Sequence, residues 1–339
     1  MLKKIASQSR SAPLSCSEVK PNGGRTTGLA AQQSRVGFIG LGRMGSVMAA
    51  NLVSAGQQVV PFVRHVEQID RLTALGLNPT TRLEDLFNCE LVVSMLPDDG
   101  VVREVVTGRK GLDTEGLVRG LRPGAIHLSM STISTSAASQ FASDHARYGQ
   151  GYVAAPVFGN PDAAKTRQLF IIAAGASADL ERCQPIFDAL GQKTFFAGKA
   201  PATANLIKLV GNALSAASLE ILGELFALAR RRGLDPEQLL AILTGTMFGS
   251  RFHRIYGGKI AAEQYGRGGF VFPLALKDVR LALHEAESIG VPMPTLTVVH
   301  DRLVTGIARG YAELDWSALG LLASDEAGVT VDPRRSTAQ

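Results

Sequence analysis

Residues 36–52 read VGFIGLGRMGSVMAANL, and three glycines in that run, Gly40, Gly42 and Gly45, constrain the fold more than any other feature. They form G-x-G-x-x-G between a run of strand composition and a run of helical periodicity, the context in which the pattern carries meaning. Gly40 permits a tight turn out of the strand. Gly42 lets backbone approach a pyrophosphate, and Gly45 lets the helix pack closely on its own strand. With Leu41, Arg43 and Met44 between them, the glycines make a candidate dinucleotide loop that sets phosphate against a helix N-terminus.

The rest of the first two hundred residues fits that beginning. Strand-like runs at "QQVVPFV", "CELVVSMLP", "GAIHLSM", "GQGYVAAPVF", "RQLFIIAAG" and "QKTFFAG" alternate with segments of helical periodicity, including helices near 44–55, 67–74 and 177–190. Near-continuous apolar strands alternating with helices predict one parallel sheet covered on both faces. Residues 36–198 are therefore expected to form a Rossmann-type α/β domain. Past Gly198 the strand pattern stops, and about 30 residues of helical periodicity end in arginines and Gly233. Asp235-Pro236 reads as an N-cap with proline at the first helical position. Two further amphipathic segments follow, so residues 199–324 are expected to be an all-helical domain. Residues 325–339 read as a disordered tail.

At 339 residues the chain has room for two such domains. Its net charge of +5 is misleading until it is located. Residues 1–35 hold Lys3, Lys4, Arg10, Lys20, Arg25 and Arg35 against Glu18 alone, which leaves the remainder neutral. That distribution argues against a nucleic-acid surface on the folded body. The basic, Ser/Gly-rich leader is expected to be disordered. Its composition is shared by mitochondrial and plastid presequences, so a cytoplasmic location is expected, with an organellar one if the leader is a presequence. No apolar run of membrane-spanning length stands out, and no membrane association is expected. Cys16, Cys89 and Cys183 are scattered, and the six histidines form no ligand pattern. Neither a disulfide framework nor a metal site is expected.

The cofactor type should be set about 20 residues beyond the glycines, at the end of the second strand. An NAD site places an acid there to accept from the ribose 2′-hydroxyl. This chain has "VVPFVRH", with Arg64 and no acid between Val59 and Val66. A guanidinium there suits a 2′-phosphate, so NADP(H) is expected over NAD(H).

These features together resemble the β-hydroxyacid dehydrogenase family, the group of 3-hydroxyisobutyrate dehydrogenase, tartronate semialdehyde reductase and glyoxylate/succinic semialdehyde reductase. The likeness runs from about Val36 to about Ala323. The family's opening GFIGLGxMGxxMAxNL is matched by residues 37–52, and its MLP turn by Met95-Leu96-Pro97. Its D-x-S-T-I segment stands as "SMSTI", with Ser131 and Thr132 kept and Ser129 in place of the acid. Its D-A-P-V-S-G-G segment stands as "AAPVFGN", where Pro156, Val157 and Gly159 match while Ala154, Phe158 and Asn160 depart. The helix that carries the family's lysine keeps Lys208 and Asn212, with Ala202 and Ala204 for two glycines. Lys277-Asp278 matches a second-domain helix start.

The resemblance implies Lys208 as proton donor and acceptor, and Ser131, Gly159, Asn160 and Asn212 as substrate contacts. Leu96, Pro97, Thr132 and Lys277 join the glycine-rich loop as cofactor contacts. It also implies association as a homodimer or homotetramer through the helical domain. The activity implied is interconversion of a small hydroxy acid or alcohol with its aldehyde or keto form. Imine reduction is an alternative, as is a non-catalytic nucleotide-binding scaffold; retention of Lys208 argues against the last.

An ammonium within reach of a carbonyl oxygen both stabilises developing alkoxide charge and donates the proton. A free lysine, with a pKa of about 10.4, is a poor base, so burial must lower it for the reverse reaction. Asn212 at i+4 shares its helix face. A competing reading also holds: Asn205, Lys208, Asn212 and Ser215 form a polar stripe opposite Leu206, Val210, Ala213 and Ala217, and such stripes are commonly just solvated. Ser131 and Thr132 equally suit an N-cap. Lys277 also fits an exposed position near a helix start.

Overall fold

A computed structural model describes residues 35–108 and 115–329. Nearly all of the expected leader, and the tail beyond Val329, lie outside these. Strands β1 (Arg35–Ile39), β2 (Gln58–Phe62), β3 (Leu91–Ser94), β4 (Ile126–Ser129) and β5 (Gly151–Ala154) form a wholly parallel sheet in the order β2-β1-β3-β4-β5. Helices α1 (Gly45–Ser54), α2 (Ile69–Thr73), α3 (Asp99–Thr107), α4 (Leu117–Gly120) and α5 (Thr135–Arg147) connect them. Phe38, Met48, Leu52, Ile126, Leu128 and Val153 close one face of this sheet, each fully buried.

The expectation of a single sheet over 36–198 is corrected here. The first sheet ends at β5, and Ala155-Pro156 follows, where proline removes a ladder donor. Strands β6 (Val157–Phe158), β7 (Leu169–Ala173) and β8 (Gly191–Phe196) then form a separate sheet in which β6 runs antiparallel to β7. Helices α6 (Pro161–Lys165) and α7 (Ser177–Leu190) complete this part.

Beyond it, α8 (Pro201–Arg231), α9 (Pro236–Gly245), α10 (Arg251–Ala261), α11 (Phe272–Ser288), α12 (Pro294–Ala308) and α13 (Leu319–Glu326) pack around Phe226, Phe272, Leu303 and Trp316. Asp235 caps α9 with Pro236 at the first helical position. Two expectations shift. The chain stays helical through Glu326 rather than fraying at Asp325, because Arg302 binds Glu326 (2.5 Å) and Tyr311 binds Asp325 (2.9 Å). The 31-residue α8 is long and apolar enough to cross a membrane, contrary to the reading of the bare sequence. Half of its most apolar window is nevertheless buried within the protein.

The histidine pattern missed a buried chain behind the sheet. Ser94 Oγ lies 2.8 Å from His127 Nε2, His127 Nδ1 2.9 Å from His145 Nε2, and His145 Nδ1 2.7 Å from Gln150 Oε1. Gln150 Nε2 donates to the carbonyls of Val118 and Leu121, which fixes its amide orientation. Its Oε1 must therefore accept from His145, and the polarity passes up the chain until Ser94 donates. Both imidazoles are neutral, with burial pulling His127 well below its ordinary pKa and His145 down to about 4.

Candidate active site

The glycine-rich turn leaves β1 at the C-terminal edge of the sheet. Gly40 has φ +93°, and a methyl there would sit 2.2 Å from the Met95 carbonyl oxygen of the neighbouring turn. A methyl on Gly45 would sit 1.9 Å from the Gly40 carbonyl oxygen, whereas one on Gly42 would meet nothing within 4 Å. The turn is thus closed where chain meets chain and open at Gly42, a cradle that fits a pyrophosphate at the start of α1. Met44 occupies the N-cap position of α1. The Leu41 carbonyl accepts from Arg71 (2.9 Å), a contact that sequence reasoning missed. Arg43 lies against Gly268 of the helical part, where a methyl would come within 1.9 Å of its guanidinium. Arg64, just past β2, is half-exposed and paired with Glu104 of α3 at 3.3 Å.

The next two strand ends are tied to this one. Ser131 Oγ accepts from the Leu96 N–H at 2.8 Å and is fully buried, so its hydroxyl joins the β3 and β4 turns. Pro97 is exposed beside them. The capping expectation for Ser131 and Thr132 is corrected: Ser134 caps α5, accepting from the Ala137 N–H and binding Asp99. Lys277 donates to the Thr132 carbonyl at 2.6 Å. It lies in the second turn of α11 rather than at its start, because the helix begins at Phe272. Gly159 has φ +140°, and Asn160 follows as the N-cap of α6, accepting from Ala163 N–H at 2.9 Å.

On α8 the polar stripe is covered, while part of the apolar face is not. Asn205, Lys208 and Asn212 are only 0–9% exposed, while Val210 and Leu214 are 60% and 69% exposed. The stripe is therefore not solvated. Lys208 Nζ donates to Asn212 Oδ1 at 2.9 Å, and Asn212 Nδ2 donates to Asp278 Oδ2 at 2.5 Å. A donor on one side and a carboxylate on the other fix the amide's orientation. Lys277 Nζ lies 2.9 Å from the other Asp278 oxygen. Burial lowers the Lys208 pKa to about 8; Asp278 partly opposes this and Lys277 adds to it. Asp278 is the central residue to which the sequence reading gave no role. Its signal was a charge on the buried stripe of Ala275, Leu276, Val279 and Ala282. Phe158, which departs from the family's segment, places its ring centroid 4.4 Å from Lys208 Nζ.

A family profile described as the NAD binding domain of 6-phosphogluconate dehydrogenase matches residues 35–198. A second, described as the NAD-binding domain of NADP-dependent 3-hydroxyisobutyrate dehydrogenase, matches residues 202–322. The oxidoreductase YfjR of Bacillus subtilis (strain 168) is 36% identical over 84% of this chain and 98% of its own. The chain belongs to the β-hydroxyacid dehydrogenase family. Another relative, 2-hydroxy-3-oxopropionate reductase of Escherichia coli (strain K12), is 30% identical over 84% of this chain and 95% of its own. Among solved structures, the 3-hydroxyisobutyrate dehydrogenase of Mycobacterium tuberculosis, described with L-serine, superposes with a TM-score of 0.76. It is 25% identical and covers 86% of this chain and 99% of its own. As a β-hydroxyacid dehydrogenase the chain is an NAD(P)-dependent oxidoreductase acting on CH–OH groups, and the glycine cradle is where its dinucleotide fits.

Proposed function

We propose that the protein interconverts a small hydroxy acid or alcohol with its aldehyde or keto form, using NADP(H) and Lys208 as proton donor and acceptor. The observation that carries this reading is the buried Lys208–Asn212–Asp278 chain, with the lysine pKa near 8. A nicotinamide dinucleotide, when bound, supplies the hydride chemistry; the glycine-rich turn, Leu96, Pro97, Thr132 and Lys277 would hold it. The proton falls to the chain. In reduction, the Lys208 ammonium donates to the carbonyl oxygen as negative charge develops there. In oxidation, the neutral amine accepts the hydroxyl proton, which a lysine near pKa 8 does far more readily than an exposed one. Asn212 holds Nζ in place, and Asp278 holds Asn212.

Arg64 supports NADP(H), since it stands just past β2, where the sequence from Val59 to Val66 holds no acid to accept from a ribose 2′-hydroxyl. Its partner Glu104 would have to yield to a 2′-phosphate. The test is kcat/KM with each cofactor. The expected result is a preference for NADPH that Arg64→Ala abolishes and Glu104→Gln strengthens; equal efficiency with both cofactors in the unmutated protein removes the assignment.

Self-association through the helical domain is part of the same reading. Val210, Leu214 and Leu228 of α8 are exposed apolar residues. Val210 and Leu214 line an apolar groove of about 590 Å³ together with Leu206 and Leu209 of α8 and Ile289 and Met293. Leu214→Glu is expected to convert an oligomer to monomer in sedimentation velocity.

A further inference from the structure

The face of α8 that carries Lys208 also carries Ala204 one turn before and Gly211 one turn after, and β6 ends against it. Phe158 packs there against the buried cluster that contains Ala204, Ile172 and Ala174. Its ring lies 4.4 Å from the Lys208 ammonium and occupies the space left by Gly211, where a methyl would come within 2.3 Å of Cζ. The small residue on this helix therefore accommodates the phenyl ring. The chain then leaves at once, since Gly159 turns with φ +140° and Asn160 is spent on capping α6.

This leaves the surroundings of Lys208 with one aromatic wall and few resources for an anion. Of the two ammonium groups at the site, Lys277 is held by the Thr132 carbonyl and Asp278, while Lys208 is needed at the reacting oxygen. A carboxylate on the substrate, placed beside the ring, would face the negative face of the π system. With both ammonium groups engaged, neither is free to pair with it, and desolvating a charge without such pairing is one way a site rejects a ligand.

We propose that Phe158 determines substrate specificity at the Lys208 site, selecting small carbonyl compounds with an uncharged, apolar arm over those whose arm carries a carboxylate. The proposal rests on the reductase reading above and narrows it.

The test measures kcat/KM for NADPH-dependent reduction over matched pairs in which an isopropyl group replaces a carboxylate. Suitable pairs are 4-methylpentanal with 4-oxobutanoate, and 5-methyl-2-hexanone with 4-oxopentanoate. The unmutated chain is expected to favour the uncharged member by about 10–200-fold, the range that differential contacts in a pocket supply. Phe158→Ser is expected to shrink that ratio at least about tenfold, chiefly through a lower KM for the acid. Phe158→Leu, which keeps the bulk, is expected to retain most of it, and Phe158→Ala, which removes the ring, is expected to shrink it as the serine variant does and covers the case in which that variant fails to fold. Gly211→Ala should lower Tm in the unmutated background, where the new methyl meets the ring, and leave Phe158→Ser almost unchanged. Preference for the acid by the unmutated chain, or an unchanged ratio in Phe158→Ser or Phe158→Ala, overturns the proposal while leaving the reductase reading standing. Absence of turnover on every pair overturns both.

Discussion

The turn after β1 and the middle of α8 belong to one continuous arrangement. Gly40 abuts Met95, Leu96 binds Ser131, Thr132 binds Lys277, and Asp278 leads through Asn212 to Lys208. The two ends are nevertheless built differently. At the sheet end the work is done by backbone, so the requirement is for missing side chains. At the α8 end it is done by side chains whose properties are set by groups 66 residues away in sequence. The first kind of site has little tolerance for added atoms. The second has little tolerance for a changed charge.

The largest effect is expected from Gly40→Ala. Positive φ alone costs a non-glycine residue about 1–3 kcal/mol, and the methyl would also strike the Met95 carbonyl. Dinucleotide binding measured by calorimetry should be lost and Tm lowered. Gly42→Ala faces open space, so the apo protein should keep its Tm while binding weakens. Equal Tm losses in the two variants would break the distinction drawn between them.

Next in size, Lys208→Ala should reduce kcat/KM by about 10²–10⁴-fold, the usual contribution of a positioned acid or base. Asp278→Asn should act through the lysine. Asp278 holds the Lys208 pKa up against burial, so its neutralisation lowers that value. Reduction requires the ammonium, so the alkaline decline in kcat/KM should move to lower pH. A decline that stays in place would detach Asp278 from the lysine.

A smaller effect concerns the scaffold behind the β3 turn. His127 and His145 have folded pKa values below their unfolded ones, so the unfolded chain binds more protons. The stability they contribute is complete above about pH 6.5 and is lost as pH falls towards about 4. Asp144 is the charged group near His145 and favours its protonation. Urea midpoints should fall across that window, and His127→Leu should flatten the fall while costing about 1–3 kcal/mol at neutral pH. An unchanged pH slope would show that the pair does not govern it.

The same contrast explains what could be read from the sequence. Gly40, Gly42 and Gly45 declare their roles by residue type and spacing, because backbone geometry is local. The strand and helix alternation was equally legible, except at Ala155-Pro156, where the second sheet begins through a pairing that local sequence does not encode. Lys208 could be seen, but its burial could not. Periodicity separates polar from apolar faces without saying which is covered, and α8 turns its polar face inward. Asp278 was visible beside Lys277 but acquires meaning only when α11 meets α8. Phe158 stood out as a departure, and its ring on Gly211 needed the fold to bring β6 to the helix.

Whether Lys208 is the proton donor is tested most directly by the pH dependence of kcat/KM for carbonyl reduction by the unmutated protein and by Lys208→Ala. The unmutated enzyme should decline above about pH 8, where the buried ammonium titrates, and the variant should be slower by about 10²–10⁴-fold with that decline absent. A variant that keeps both the rate and the alkaline limb would show that the proton comes from elsewhere.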